Sequence, residues 1–536
     1  MSLLEDLKMY VRFTAGLRGY LKHQMTLEEA QRIVRDRMEH REENFLRLLR
    51  RGVYGYARSP YLGLLRHAGC ELADVERMVR TQGLETTLRS LRQAGVYVSF
   101  DEFKGRAPLE RNGQLLATTA QDFDNPSLAR HFYAETGGST GKASRIVHDL
   151  DHYAATAPHH MLTWAAHGVL DAPMAVWRGI LPDGSGINNV LRPARFGHLP
   201  EQWFSPIPWW DSRRSLKYSA ATCYLIILAR LMGTPIPWSR YVPLQRADIV
   251  ASWVATTVKA QGKCFLAVTV SRALRVALAA EQAGLNLSGA VFKIAGEPPT
   301  PAKVRAIERS GVRCYPDYGM SEAGRIGMGC VHPRDCTDVH LLKDAFALMT
   351  YPQVVPGHET TVPAFNLTTL LPTTPKIMLN VVSDDYGIVE ERRCGCALET
   401  FGFTTHLRQI FSSSKLTGEG VTLVGSEMVG IIEETLPARF GGSPLDYQWL
   451  EEEDEHGFTR LYIVISPRVT IADEHAAIET VLEALSRSSN GANAARMIWK
   501  QAGTLKVRRD EPVWTARGKL MPLHLQRYAA NATSER

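Results

Sequence analysis

The chain has 536 residues, 45% of them hydrophobic and 22% charged, with a formal net charge of +6. That is the composition of a globular protein with a full core, of a length that allows several domains or one large domain and a small one. The positive excess is slight for the length, which argues against the clustered basic face of a nucleic-acid binder and suits anionic ligands such as nucleotides or coenzyme A.

In the opening stretch MSLLEDLKMYVRF charges recur every few residues, so there is no signal-peptide apolar core. The longest apolar run, Ala220 to Ala229, is far short of the roughly 20 residues of a membrane span. A cytoplasmic protein is expected, with its eight cysteines as reduced thiols or metal ligands rather than a disulfide framework.

The first 50 residues alternate charges and leucines, as in LEEAQRIVRDRMEHREENFLRLL, which predicts helices with a solvated face. Short helices continue over 60–105 and end in a predicted strand, VYVSF. The middle of the chain alternates. CFLAVTV reads as a strand and SRALRVALAAEQAG as a helix stopped by Gly284. AVFKIAG is a strand, PAKVRAIERSG a helix with Pro301 in its first turn and Gly311 as its stop, and VRCYPDYG a strand again. Such alternation predicts crossover units and a mostly parallel sheet, with ligands beyond the carboxyl ends of the strands. Trp203, Phe204, Trp209 and Trp210 ahead of this region read as packing residues, with the lining of an acyl pocket as the alternative. After about residue 410, the Ser/Gly-rich SSSKLTGEG marks a break before some 120 residues of α+β character.

Three constellations carry chemistry. Thr136-Gly137-Gly138-Ser139-Thr140-Gly141-Lys142 offers backbone N–H groups, hydroxyls and an ammonium to an anion. It is not a Walker loop, which requires Gly where Thr136 stands and Ser or Thr where Ala143 stands. Gly296-Glu297-Pro298 and Asp317-Tyr318-Gly319-Met320-Ser321-Glu322 both fall at predicted strand ends. Cys330, His340, Cys394 and Cys396 combine soft thiolates with an imidazole, the donor set of tetrahedral zinc, with His332 and Cys336 as rival ligands. Cys70, Cys223, Cys264 and Cys314 read as lone buried thiols.

Together with Arg517-Gly518-Lys519 in RGKLMPL, these motifs make the chain resemble the adenylate-forming superfamily of acyl-CoA synthetases, adenylation domains and luciferases, and most closely its phenylacetate-CoA ligase branch. They occur in family order over residues 135–520, roughly 70% of the chain. The resemblance implies an α/β fold, a large N-terminal domain with mostly parallel sheets and a small α+β C-terminal lid. It also implies ATP, Mg²⁺ and a structural Zn²⁺. Thr136 to Lys142 would hold the outgoing pyrophosphate, Glu297 and Pro298 would line the adenine side with Gly296 at the turn, Asp317 would bond the adenine amino group, and Tyr318, followed by Gly319, would pack on the base. Ser321 would reach the α-phosphate, Glu322 would hold Mg²⁺, and Lys519 would bridge carboxylate and phosphate. The branch places a ribose-binding aspartate nine residues before its Cys-x-Cys, which selects Asp385 over Asp384. Some members of the branch hold a structural zinc with a set like Cys330, His340, Cys394 and Cys396.

The sequence departs from the family pattern in three places. Arg408 stands nearest to the family's arginine but out of register. No Gly-Arg-x-Asp hinge is present, which leaves Lys415 as the candidate. The phosphate loop also lacks the proline that usually follows its lysine.

The expected organisation is a helical extension over 1–130, a core over 131–410, a hinge at 411–415 and a lid over 416–536. The expected activity is adenylation of a carboxylic acid, then transfer to coenzyme A or, alternatively, to a carrier protein or amine supplied in trans. An inactive nucleotide-binding relative is a third reading, against which Glu322 and Lys519 both speak.

Overall fold

The computed structural model describes residues 3–128, 131–135, 145–181, 183–209, 212–354, 361–412, 415–418, 421–424, 430–488, 490–513 and 523–525. The loop residues Thr136 to Lys142, Trp210 and the Arg517-Gly518-Lys519 motif lie outside them.

The charged N-terminal stretch folds into helices Leu3–Lys22, Leu27–Glu39 and Arg41–Leu49. The second starts at Thr26, whose hydroxyl accepts from the Glu29 N–H at 3.2 Å, with Glu28 and Glu29 set against the positive end of the helix dipole. It buries Ala30 and Val34 and leaves its charges outside. Further helices over Pro60–His67, Leu72–Gln82 and Leu84–Gln93 complete a layer. Val34, Leu49, Leu65 and Val79 of this layer share one hydrophobic core with Ile326, Met328, Leu367 and Leu379. This helical layer is thus packed onto strands of the large unit. The segment VYVSF, predicted as a strand, does not form one. Val98 forms a single bridge to Val381, and Ser99, capping the next turn reciprocally with Glu102, starts the short helix Phe100–Phe103 before a strand can extend.

A twelve-stranded sheet organises the large unit. On one side its strands run parallel in the order Arg313–Met320, Ala290–Ala295, Cys264–Val268, Met174–Trp177, Gln202–Ser205, Ser239–Tyr241. Helices Ala247–Gln261, Val270–Gln282 and Pro301–Glu308 make crossovers among them, the last with proline in its first turn. This is the α/β region expected from the sequence. From Arg313–Met320 outward the pairing turns antiparallel, through Gly324–Gly329, Val339–Leu341, Thr405–Ser412, Val381–Glu391, Thr361–Thr369 and Phe346–Val354. The strand that carries Asp317 to Met320 is therefore the junction between the two halves. Trp203 and Phe204 are fully buried in the parallel half, as packing residues.

A second, four-stranded sheet joins Leu505–Arg509, Thr459–Ile465, Tyr447–Glu453 and Leu523–Leu525. With helices Glu474–Ser488 and Asn490–Ala502 it forms the small α+β unit. Trp449, Ile463, Val481 and Trp499 of this unit pack in one core with Val250, Val254, Leu274 and Ala277 of the large unit. Lys303 crosses between the two, its Nζ 3.1 Å from Glu453 and 3.0 Å from the Thr459 hydroxyl. At the expected hinge, strand Thr405–Ser412 ends and strand Lys415–Gly418 begins.

Candidate functional site

The carboxyl ends of the central parallel strands bring the strand-end motifs together. Ala290–Ala295 ends at Gly296, whose φ of +88° suits a residue without Cβ, and Glu297 turns inward and is buried. Its carboxylate accepts from the Ser271 hydroxyl and from the Ser271 N–H at 3.4 Å, in the first turn of helix Val270–Gln282. A carboxylate at a helix N-terminus is favourably placed. Pro298 follows, half-buried.

The neighbouring strand carries the second motif. Its register shifts between Tyr318 and Gly319, and a Cβ on Gly319 would fall 2.5 Å from the Gly324 carbonyl oxygen. Gly324 closes the turn at φ +81°. These two glycines let the chain reverse tightly and present Ser321, exposed, with Glu322 beside it. Tyr318 donates from its hydroxyl to Asp385 Oδ2 at 2.9 Å, across three intervening strands of the sheet. The structure thus sets Asp385, not Asp384, against the tyrosine.

Other predicted residues are placed differently. Asp317 is turned into the protein, where Arg325 donates to it from Nε at 2.8 Å and Lys293 Nζ lies 3.8 Å away. Arg408 is not brought to Asp385. Its guanidinium fork closes on Glu390 at 3.0 and 3.1 Å and on Asp335 at 2.9 Å, which uses its donors in a separate ion network. Strands His131–Glu135 and Arg145–Asp149, on either side of the predicted phosphate loop, pair antiparallel, with Glu135 opposite Arg145.

Sequence reasoning missed a residue at this turn. The Lys104 ammonium, at the end of helix Phe100–Phe103, forms an ion pair with the Glu322 carboxylate, and both side chains are mostly buried. Lys104 belongs to the N-terminal helical segment, ahead of the motifs over residues 135–520. A lone lysine 218 residues from its partner carries no sequence signal.

The Cys/His residues converge on the antiparallel half. His340 lies opposite His406 in register, and Cys394 and Cys396 flank Gly395 in the turn before Thr405–Ser412. His340 donates from Nδ1 to the Phe403 carbonyl at 2.7 Å. This leaves Nε2 facing Cys396 Sγ at 3.2 Å and Cys394 Sγ at 3.8 Å. Ligand atoms of Cys330, His340, Cys394 and His406 all lie within 4.8 Å of one another. The Cys396 thiol is drawn well below its ordinary pKa, first by a hydrogen bond from Cys330 and then, against the cost of burial, by His340. His406, absent from the predicted set, donates from Nδ1 to Asp338 at 2.6 Å, while its buried Nε2 has no partner. A carboxylate behind a histidine fixes the tautomer that leaves the other nitrogen free to ligate. Neither rival joins the cluster. Cys336 Sγ sits 3.6 Å from the Pro299 carbonyl, and the exposed His332 bonds the Cys394 carbonyl at 3.0 Å.

No protein-family model and no curated protein matches this sequence. Solved structures do resemble it. One is a 2-hydroxyisobutyryl-CoA ligase in complex with 2-HIB-AMP and CoA, at 15% identity over 96% of this chain and 94% of that one, with a TM-score of 0.50. Another is the anthranilate CoA ligase AuaEII in complex with anthranoyl-AMP, at 13% identity over 84% and 77% of the two chains, with a TM-score of 0.33. A third is the amide bond synthetase McbA from Marinactinospora thermotolerans, at 12% identity over 95% and 100%, with a TM-score of 0.30. The first establishes the fold: this chain has the architecture of that CoA ligase over nearly the whole of both chains.

Proposed function

We propose that this chain activates a carboxylic acid with ATP, forming an acyl-adenylate and pyrophosphate, and then passes the acyl group to a thiol, coenzyme A in the first instance. The observation that carries the reading is the pairing of Tyr318 with Asp385 beside the Ser321–Glu322 turn, at the carboxyl edge of a sheet shared with a ligase solved with an acyl-adenylate and CoA.

In this reading Asp385 accepts from the ribose hydroxyls, a geometry that a carboxylate with two oxygens provides. Tyr318 packs on the base, with Gly296, Glu297 and Pro298 lining the adenine side. Asp317, tied to Arg325, supports the site from within, so the side chain predicted to bond the adenine amino group is better assigned to holding the strand. Ser321 donates to the α-phosphate. Residues 136–142 hold the outgoing pyrophosphate with N–H groups, hydroxyls and Lys142. Glu322 would hold Mg²⁺, whose chemistry is to neutralise the phosphates of ATP as a hard cation on carboxylate oxygen. Lys519 would enter from the C-terminal unit, taken as 416–536 with its hinge at 411–415, and bridge carboxylate and phosphate during adenylation. Catalysis is then positioning plus charge neutralisation, without a covalent enzyme intermediate.

Cys330, His340 and the Cys394–Cys396 turn would hold a structural Zn²⁺, with His406 as a further donor in place of one thiolate. The fit rests on soft donors converging within ligating distance of one another and on the unpartnered His406 Nε2. With all positions filled by protein, the metal would stabilise the antiparallel half and take no part in the reaction. The phenylacetate-CoA ligase branch is the member of the superfamily that this cysteine pattern favours. Transfer to an amine or a carrier protein is the second reading, supported by the likeness in sequence motifs to adenylation domains. Acid-dependent exchange of pyrophosphate into ATP tests the first half-reaction, and separate assays offering coenzyme A, an amine or a carrier protein test the second.

A further inference from the structure

Directly behind the Ser321–Glu322 turn lies a group of buried polar side chains, most of which have no part in the proposed adenylation. His152 and His160 come from helix Leu150–Ala166, Arg192 from Gly184–Ala194, Lys293 from strand Ala290–Ala295 and Arg325 from strand Gly324–Gly329. None is more than 9% exposed. The group abuts the turn itself: a Cβ on Gly324 would lie 3.1 Å from His152 Nε2 and 4.0 Å from Arg192 Nη2.

The charges in this group do not balance. Arg325 has Asp317 as its partner, and Lys293 reaches the same carboxylate at 3.8 Å while donating to Asn189 Oδ1 at 2.6 Å. Arg192 has no carboxylate within ion-pair distance among the described residues. It lies over the Tyr153 ring at 4.9 Å, and its buried Nε has no hydrogen-bond partner. Both ring nitrogens of His160 are likewise buried without partners, and the buried His152 ring has only the Thr373 backbone beside it. Burial pushes Lys293 down to about 7 and His152 down to about 3, with the neighbouring arginines adding to the effect. Two arginines, and a lysine that burial holds only partly charged near neutral pH, thus share one carboxylate in a largely buried group. Folded proteins rarely leave buried donors unsatisfied, and an unpaired buried cation is costly enough to be removed unless something binds it.

Building on the adenylation reading, we infer that these residues bind a second carboxylate on the acid substrate, so that the enzyme takes dicarboxylic acids. The Arg192 fork grips the distal carboxylate, His152 and His160 supply further ring nitrogens, and Lys293 adds charge. The reacting carboxylate is left beside Ser321 and Glu322. A monocarboxylic acid of the same length would leave these donors desolvated and unpaired, and a site built to bond a polar group discriminates strongly against the analogue that lacks it.

The test is acid-dependent pyrophosphate exchange with matched pairs: glutarate against butyrate, adipate against hexanoate, terephthalate against benzoate. The wild-type protein is expected to favour the dicarboxylic member of at least one pair by about 30-fold or more in kcat/KM, the loss that follows from leaving a buried charge without its partner. Arg192→Met should collapse that ratio by a similar factor, with Arg192→Lys between the two. Its melting temperature should equal or exceed that of the wild type, because an unpaired buried charge has been removed, whereas an arginine kept for structure would lower it. If Arg192→Met does not fold, Lys293→Met carries the same ratio test. Exchange that treats each pair alike, or a ratio that survives both variants, overturns the inference. Exchange with none of a broad panel of acids overturns the adenylation reading beneath it.

Discussion

The ammonium of Lys104 closes on the carboxylate of Glu322, and so joins the N-terminal helical layer to the turn proposed to hold Mg²⁺. The two cations have the same ligand to share. If Lys104 screens Glu322 before the nucleotide arrives, removing it should ease metal entry. Lys104→Met is expected to lower the Mg²⁺ concentration for half-maximal pyrophosphate exchange about tenfold, the scale of one charge-assisted hydrogen bond. A Mg²⁺ titration checks this. An unchanged or raised requirement would mean that the pair serves to anchor the N-terminal layer instead.

The cysteine cluster makes a separable prediction. Protein purified without added metal should contain about one zinc per chain, as a closed four-ligand site requires. Cys330→Ser should lose it, whereas Cys336→Ser, whose sulfur faces Pro299, should keep it. His406→Ala, which removes a donor of the set, should weaken zinc by more than the roughly 10–100-fold expected for removing an outer partner. Metal-free protein should melt below the zinc-loaded form. A full zinc complement in Cys330→Ser would show that the metal sits elsewhere.

The buried histidines set a pH dependence of stability. Burial pushes His148 from 6.5 down to about 4 and His152 down to about 3. In the unfolded chain both protonate near 6.5, so below that pH the unfolded state binds protons that the folded state refuses. The contribution of these two histidines therefore stays level above about pH 6.5 and falls as the pH drops toward 4, by about 1.4 kcal/mol per pH unit for each. Unfolding free energies measured between pH 6 and 4.5 should decline less steeply in His152→Gln, by about one proton. Equal slopes in the two proteins would show that His152 protonates within the folded state.

What could be read from the sequence followed from local signals. The parallel half was legible because Gly284, Pro301 and Gly311 punctuate runs whose periodicity switches between strand and helix. The strand-end motifs were legible because residues 296–298 and 317–322 are contiguous. The segment VYVSF misled because an apolar, β-branched run does not reveal that Ser99 caps a helix. Lys104, His406 and Arg192 were illegible for a different reason. Each acquires its meaning from a partner that the register supplies: Glu322 across 218 residues, His340 across one strand pair, and, for Arg192, the absence of a carboxylate among the described residues. Arg408 shows the converse, since its motif position suggested a ligand contact while the register delivered it to Glu390.

Acid activation at the turn bearing Glu322 is measured most directly by exchange of labelled pyrophosphate into ATP. The wild-type protein should catalyse exchange that depends on both Mg²⁺ and an added carboxylic acid, and should release AMP rather than ADP when an acceptor completes the reaction. Glu322→Ala should lower that exchange by about 10²–10³-fold, the cost of losing one preorganised charge contact in the transition state. Exchange at near wild-type rate in Glu322→Ala would remove that residue from the mechanism. Formation of ADP, or no exchange with any acid across a broad panel, would contradict adenylation itself.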